Sequence, residues 1–287
     1  MAANVAQSFL VGIRRRWLLG LSRALSAVGG VWLLTEIGQV ISDDLASWLK
    51  NNGQTFFALV FLAALLGFLS YVYEPRKITF KIPTIDSYIT IKFGDIFAED
   101  ANWLFSVNEF FDSRLGDVIS SRSVHGQFIT KIFAGDEIRF RAAVDTSLRG
   151  TNGTDIPRPG LPSTAYKIGT TAILQNGSRR AFLVALSKTD LRTHKAYADV
   201  PMLWDAMTGG LESVLHHGSG DPLAMPLMGN GLSGINVDPQ HLLRLITLRL
   251  VDYGRKYGIP KQVRIIVHDD CFEHIDLREI KRDWMTR

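Results

Sequence analysis

The chain has 287 residues, of which 46% are hydrophobic and 21% are charged, and its formal net charge is +4. This hydrophobic content excludes an intrinsically disordered protein. The small charge gives no indication of nucleic-acid binding, because the basic excess lies near the N-terminus. The single cysteine, Cys271, excludes an internal disulfide.

Two apolar segments near the N-terminus predict a membrane region over residues 1–77. Residues 55–73 (TFFALVFLAALLGFLSYVY) carry no charge, and a helix of this length nearly crosses a hydrocarbon core of ~30 Å. The competing interpretation is a buried helix of a soluble protein. Residues 24–42 form a second apolar segment that contains Glu36. A signal peptide fits the basic start, but no small-residue cleavage site follows a compact apolar core.

Charges flanking these segments predict the orientation of the hairpin. The basic residues of its open end are Arg14, Arg15, Arg16, Arg76 and Lys77. Asp43 and Asp44 lie at the closed end. The positive-inside rule then places both termini in the cytoplasm.

Three residues of the first segment are candidates for contacts between copies of the chain. Gly29 and Gly30 present a small face that suits helix packing in a membrane. Glu36 either lines a pore or an oligomer contact, or extends its carboxylate to the nearby interface.

The remainder of the chain, residues 78–287, alternates strand-like and helix-like patterns and predicts an α/β fold around a mixed sheet. Strands are expected at residues 78–83, 88–93, 103–107, 166–174, 181–187, 223–228 and 262–267. Helices are expected at residues 112–132 with interruptions, 136–148, 200–215, 238–257 and 272–284. Residues 149–163 are rich in Gly and Pro and predict a long loop that is mobile or acts as a lid.

A glycine-rich stretch, GNGLSG at residues 229–234, lies between a predicted strand and a predicted helix. Glycines allow the backbone to approach a phosphate closely, although an ordinary turn has the same composition. The stretch also matches the dinucleotide pattern G-x-G-x-x-G. A Rossmann domain, however, needs an acidic residue at a strand end about 20 residues later, and Asp252 at that distance lies inside a predicted helix.

Polar or small residues also follow three other predicted strands: Gly94-Asp95-Ile96, Val107-Asn108-Glu109 and His268-Asp269-Asp270. Ligands of such sheets bind outside the carboxyl ends of the strands. The sequence therefore predicts one crevice formed by these strand ends and the glycine loop.

The order of these motifs over about residues 78–287 resembles that of macro domains: GDI after the second strand, VN after the third, a glycine loop before the penultimate helix and an aromatic residue after the last strand. The resemblance implies a three-layer sandwich with a mixed sheet, preceded by the membrane hairpin. It also implies that the site binds ADP-ribose or its derivatives, without a cofactor.

The resemblance assigns roles to residues of this site. Asp95 accepts a hydrogen bond from the adenine amino group, and Ile96 packs beside the base. Asn108 reaches the ribose, Gly229 to Gly234 wrap the diphosphate, and Phe272 flanks the adenine. The implied ligand-binding residues are Asp95, Ile96, Val107, Asn108, Ser123, His125, Gly126, Gly229, Asn230, Gly231, Leu232, Ser233, Gly234, His268, Asp269 and Phe272. From the residues alone, Asp95 and Asn108 fit capping and turn roles equally well, and His125 fits a helix start bonded to backbone.

Three motifs fused to a two-helix hairpin, GDIF (94–97), VNEFFD (107–112) and SVHGQFI (123–129), resemble the Thoeris anti-phage defence effectors of the transmembrane-macro type. In that family a partner TIR enzyme consumes NAD and makes an ADP-ribose conjugate, histidine-linked in this branch. The resemblance implies that the macro domain senses this signal in the cytoplasm. The chain is then expected to oligomerise and to disrupt the bacterial inner membrane, which causes abortive infection, with no nucleic-acid partner.

The alternative function is a membrane-anchored enzyme, either an ADP-ribosylhydrolase or an NAD-linked oxidoreductase. Many hydrolytic macro domains carry a longer glycine-rich loop after the asparagine of the VN motif, whereas here only Gly116 and Gly126 occur, so no catalytic residue is predicted. His216-His217 and the segment His268 to Cys271 lack the ligand spacing of a metal site, and no metal is predicted.

Overall fold

A computed structural model describes residues 2–193, 195–231 and 234–285. The chain divides into two compact units, Met1–Arg76 and Lys77–Arg287. The helices are α1 (Ala2–Ile41), α2 (Asp43–Asn51), α3 (Gly53–Val72), α4 (Val124–Ile132), α5 (Glu137–Ser147), α6 (Val200–His217), α7 (Pro239–Tyr257) and α8 (Leu277–Met285). The strands are β1 (Lys77–Lys81), β2 (Tyr88–Phe93), β3 (Asn102–Asn108), β4 (Gly153–Asp155), β5 (Thr164–Tyr166), β6 (Thr171–Asn176), β7 (Arg179–Thr189), β8 (Ala196–Tyr197), β9 (Leu223–Pro226) and β10 (Gln262–Val267).

The first unit is an antiparallel hairpin of α1 and α3, both long and apolar enough to cross a membrane. Close approach at Gly67, whose added Cβ would lie 3.6 Å from the Ala27 Cβ, brings the two helices together. Helix α1 contains one non-helical residue, Arg16. The expected link between the two helices is the short helix α2, because the Ser42 side chain caps it by accepting from the Leu45 N–H (3.3 Å).

The second unit is built on a mixed sheet in the order β1-β2-β10-β9-β3-β7-β6, with β8 paired to β7. Strands β2, β10, β9, β3 and β7 run parallel, while β1, β6 and β8 are antiparallel to their neighbours. The five parallel strands therefore end at one edge of the sheet, which positions the motifs that follow them.

Both faces of the sheet are covered by helices, which gives the predicted three layers. Successive residues of one strand belong to different cores: Leu104 packs with α6 and α7, whereas Phe105 packs with α4 and α5. Strands buried on both faces explain the near-continuous apolar runs of the sequence.

The structure corrects two elements of the sequence prediction. Residues 112–123 are not helical, and α4 begins only at Val124, after the Ser123 N-cap. The stretch 149–163 is not a free loop, because β4 pairs with β5. In addition, Arg158 within this stretch is buried in an ion pair with Asp112 (2.9 Å). The long-range partner that fixes this stretch lies 46 residues away, beyond the reach of a local pattern.

Candidate functional site

A crevice with two connected compartments lies at the carboxyl edge of the parallel strands. The Asp95 compartment, about 360 Å³, includes Asp95, Ile96, Phe97, Gln127, Asn230, Ile266, His268 and Asp269. The His125 compartment, about 310 Å³, includes Ser106, Val107, Asn108, Val118, Ile119, Ser120, His125, Ser187, Ala196, Met228 and Gly229. Both are lined by Arg122, Ser123, Val124, Pro226, Leu227 and Gly231. Each volume lies within the range of small-molecule sites, about 300–1,000 Å³.

Asp95 follows β2 and holds the turn at the start of its compartment. Its Oδ1 accepts from the Phe97 N–H (3.0 Å), and its Oδ2 accepts from Lys131 Nζ (2.9 Å). Partial burial raises the pKa of the Asp95 carboxyl, but these two donors outweigh burial, so that the pKa lies below its ordinary value. An ionised carboxylate has about four acceptor positions. Asp95 therefore caps the turn and keeps capacity for a further donor.

Asn108 ends β3 and connects the His125 compartment to a buried ion pair. Its Nδ2 donates to Asp112 Oδ2 (2.7 Å), and its Oδ1 accepts from the Asp112 N–H (3.1 Å). The Asp112 carboxylate is fully buried and accepts from both terminal nitrogens of Arg158 (2.9 Å each). Because an amide carries two N–H groups, Asn108 keeps one donor for a ligand.

The glycine loop contributes backbone to both compartments. Gly229 has φ +85°, and an added Cβ would lie 2.5 Å from Ile235 Cδ1, so this turn requires glycine. Gly231 lines both compartments, and among the described residues nothing lies within 4 Å of a Cβ added there. Asn230 lines the Asp95 compartment and donates to Cys271 Sγ (3.2 Å). The predicted ligand residues Leu232 and Ser233 lie outside the described residues.

The start of α4 forms the wall opposite the glycine loop. The Ser123 hydroxyl accepts from the Gly126 N–H (3.0 Å) and donates to the Ser120 carbonyl (2.7 Å), so its hydrogen is already used. His125 lies in the first turn of α4, is buried and lines its compartment. The interpretation of His125 as a residue bonded to backbone is wrong for Nε2, which has no hydrogen-bond partner among the described residues.

Three predicted ligand residues do not line either compartment. Gly126 packs on Ser120, because a Cβ there would collide with the Ser120 carbonyl oxygen. The Gly234 N–H closes the loop by donating to the Gly231 carbonyl (3.0 Å). Phe272 is 1% exposed, with its ring edge-on to Phe93 at 4.9 Å. These three positions are corrected to structural roles.

Two residues that the sequence reasoning missed line the crevice. Phe97, the last residue of the GDIF motif, supplies the aromatic side chain expected from Phe272. Arg122 borders both compartments and, among the described residues lining them, is the one lysine or arginine. Arg122 lies in a loop without a strand-end pattern. A basic residue just before the helix start at Ser123 is the signal that could have found it.

Other predicted sites are not part of this crevice. Within residues 2–193, 195–231 and 234–285, no three His, Cys, Asp or Glu side chains gather as metal ligands would. Glu36 is exposed on α1, and no described atom lies within 4 Å of a Cβ added at Gly29 or Gly30. The predicted contacts of these residues between copies stay predictions.

Comparison with known sequences identifies the family. The sequence model named "Thoeris protein ThsA, Macro domain" matches residues 89–268, more than half of the chain. The chain belongs to the Thoeris ThsA macro-domain family. The match covers β2 to β10 and hence the strand ends that form the crevice, and it confirms the predicted resemblance and the macro-domain-like fold. A search of proteins with curated functions finds no match.

Solved macrodomains are similar to the second unit of this ThsA-family chain. A macrodomain of Oceanobacillus iheyensis with ADP has 14% identity and a TM-score of 0.49, and the alignment covers 72% of this chain and 97% of that chain. A macrodomain of Trypanosoma brucei in complex with ADP-ribose has 10% identity and a TM-score of 0.43, with 67% and 68% covered.

Proposed function

We propose that the chain is an anti-phage defence effector whose macro domain senses an ADP-ribose derivative, histidine-linked ADP-ribose, made by a partner TIR enzyme. One observation carries the proposal: Asp95, Asn108, Arg122 and Gly231 border one crevice at the carboxyl edge of the sheet. A carboxylate, an amide, a guanidinium and a bare backbone suit an amino group, a ribose, a phosphate and a close diphosphate contact, respectively.

In this proposal the adenine lies in the Asp95 compartment. The Asp95 carboxylate accepts from the exocyclic amine, Ile96 packs beside the base, and Phe97 offers an aromatic face. His268 and Asp269 border the same compartment. The diphosphate lies at the junction, between Gly231 and Arg122, and the remainder of the ligand occupies the His125 compartment.

The membrane unit is the proposed output. Residues of about 24–42 and 55–73 span the bacterial inner membrane, with both termini and the macro domain in the cytoplasm. A two-span subunit is too small to enclose a conduit, so ligand binding favours a homo-oligomer that disrupts the bilayer and causes abortive infection. Gly29, Gly30 and Glu36 lie on the exposed surface of α1 and are the proposed contacts.

A liposome assay tests the proposal. The full chain is reconstituted in dye-loaded vesicles, and histidine-linked ADP-ribose is added. We expect ligand-dependent dye release by the wild type and none by Asp95→Ala, which should still insert. An occupied pocket without release contradicts the effector role. Conversion of an ADP-ribosylated substrate to product supports instead the alternative, a membrane-anchored hydrolase.

A further inference from the structure

His125 places a polar ring where packing alone favours an apolar one. The residue is 7% exposed, and its ring lies 5.4 Å from the ring of Phe140 between their centroids. Its Nε2 is buried without a hydrogen-bond partner among the described residues. Leaving such a group unpaired costs about 1–3 kcal/mol, and native proteins contain few of them. A function of the site explains why this imidazole is present.

The compartment that contains His125 has the chemistry of a site for a neutral polar group. Hydroxyls of Ser106, Ser120 and Ser187 line it beside the amide of Asn108. Its remaining walls are apolar, with Val107 and Ile119 both almost fully buried. Few polar groups on an apolar surface are typical of pockets that orient a small ligand. The carboxylates Asp95 and Asp269 lie in the other compartment.

The charge state of His125 separates it from the phosphate contacts. Desolvation lowers the pKa of the buried imidazole to about 3, so the ring is neutral at physiological pH. A neutral imidazole has one donor and one acceptor nitrogen, which suit a hydroxyl or an amide. A phosphate is bound better by a permanent cation, and Arg122 supplies one at the junction.

We propose that His125 determines ligand specificity by hydrogen-bonding the neutral polar group beyond the diphosphate, the distal ribose or the substituent it carries. The inference rests on the proposed function, because it takes the Asp95 compartment as the adenine end. The class of ligand is thereby narrowed to nucleoside diphosphates that carry a sugar-like group on the second phosphate. ADP itself lacks the group that His125 contacts.

Calorimetric titration of the detergent-solubilised full chain with ADP-ribose and with ADP tests this role. His125→Phe keeps a ring of similar size against Phe140 and removes both nitrogens. We expect it to weaken ADP-ribose binding about tenfold, the worth of one hydrogen bond of about 1.4 kcal/mol, and to change ADP binding less than twofold. His125→Asn and His125→Gln place an amide near Nδ1 and Nε2, and one of them should restore part of the loss. His217→Phe, an exposed histidine at the end of α6, is the matched control.

The ratio of the two affinities decides the outcome. An equal loss for ADP-ribose and ADP assigns His125 to the phosphates or to pocket shape and overturns the inference, as does an unchanged ratio in all three variants. Should His125→Phe fail to fold, the ratios in the Asn and Gln variants give the same decision. A wild type that binds neither nucleotide overturns the proposed function itself, whereas normal binding with an unchanged ratio overturns only the role of His125.

Discussion

The two units bury opposite kinds of surface. In the first unit the large apolar side chains face outwards, with Leu34 71%, Val40 87% and Phe61 71% exposed. In the second unit the apolar side chains fill two cores, and buried charge is paired, as in Asp112–Arg158. A helix hydrophobic all round needs an apolar surrounding. Lipid is therefore the expected solvent of the first unit and water that of the second.

The largest expected effect breaks the charge pairing of the second unit. Arg158→Ala leaves the fully buried Asp112 carboxylate without its partner. We expect a loss of about 3–5 kcal/mol in the free energy of unfolding, measured by urea titration of the full chain in detergent. The control is Arg114→Ala, which removes only an exposed hydrogen bond to the Gly160 carbonyl. A loss below about 1 kcal/mol for Arg158→Ala, the value of an exposed pair, contradicts the structural role of the ion pair.

A matched pair of substitutions sharpens the comparison between the two solvents. Leu62 at the middle of α3 and Leu248 on α7 have nearly equal exposure, 49% and 47%. Leu62→Arg should cost about 2.5–3.5 kcal/mol of membrane insertion, whereas Leu248→Arg should change stability by less than about 0.5 kcal/mol. Membrane fractionation after alkaline extraction measures the first effect. Equal membrane retention of both variants would show that α3 does not cross the bilayer.

The pH dependence of the second unit tests the burial of His125. The pKa of its imidazole is about 3 in the folded chain, against an ordinary value of 6.5. The unfolded chain therefore binds the extra proton between these values, and stability falls as the pH is lowered through that window. Between pH 7 and 5 the wild type should lose about 2 kcal/mol that His125→Phe does not lose. Parallel urea titrations at the two pH values check this, and identical losses refute burial of a neutral ring.

The smallest expected effect concerns ligand affinity within the second unit. Arg122→Gln removes the cation at the junction of the compartments and should weaken ADP binding about tenfold, or about 1.4 kcal/mol. The salt dependence of binding should also decrease, because an exposed charge pair is screened by salt. Calorimetry at two salt concentrations measures both, with Arg255→Gln in the last turn of α7 as the control. Unchanged affinity and salt dependence remove Arg122 from the site.

The sequence predicted those parts of the second unit that depend on local pattern. Strand β2 has the predicted bounds, the helix predicted from Asp136 is α5 with Asp136 as its N-cap, and the mixed sheet follows from the alternation of elements. The strand ends at Asp95 and Asn108 meet at one edge because parallel strands share their direction. These features need no knowledge of distant contacts.

Features that depend on distant partners were not predictable. The stretch around Arg158 looks like a mobile loop until its carboxylate partner, 46 residues away, is known. Phe272 follows the last strand, as an adenine platform would, but it packs inwards on Phe93. Arg122 lies outside any periodic segment, so only the three-dimensional crevice shows its position. Local patterns thus predict elements and their order, while side-chain direction depends on tertiary packing.

One titration tests the central claim that the crevice binds an ADP-ribose derivative. Gly231 lines both compartments, and a Cβ added there meets no described atom within 4 Å. Gly231→Phe should therefore fill the junction without strain, while Ser178→Phe, in the exposed turn before β7 at the opposite edge, should leave it open. Calorimetry with ADP-ribose should show binding by the wild type and Ser178→Phe and none by Gly231→Phe. Equal binding by all three variants would place the ligand elsewhere and contradict the account.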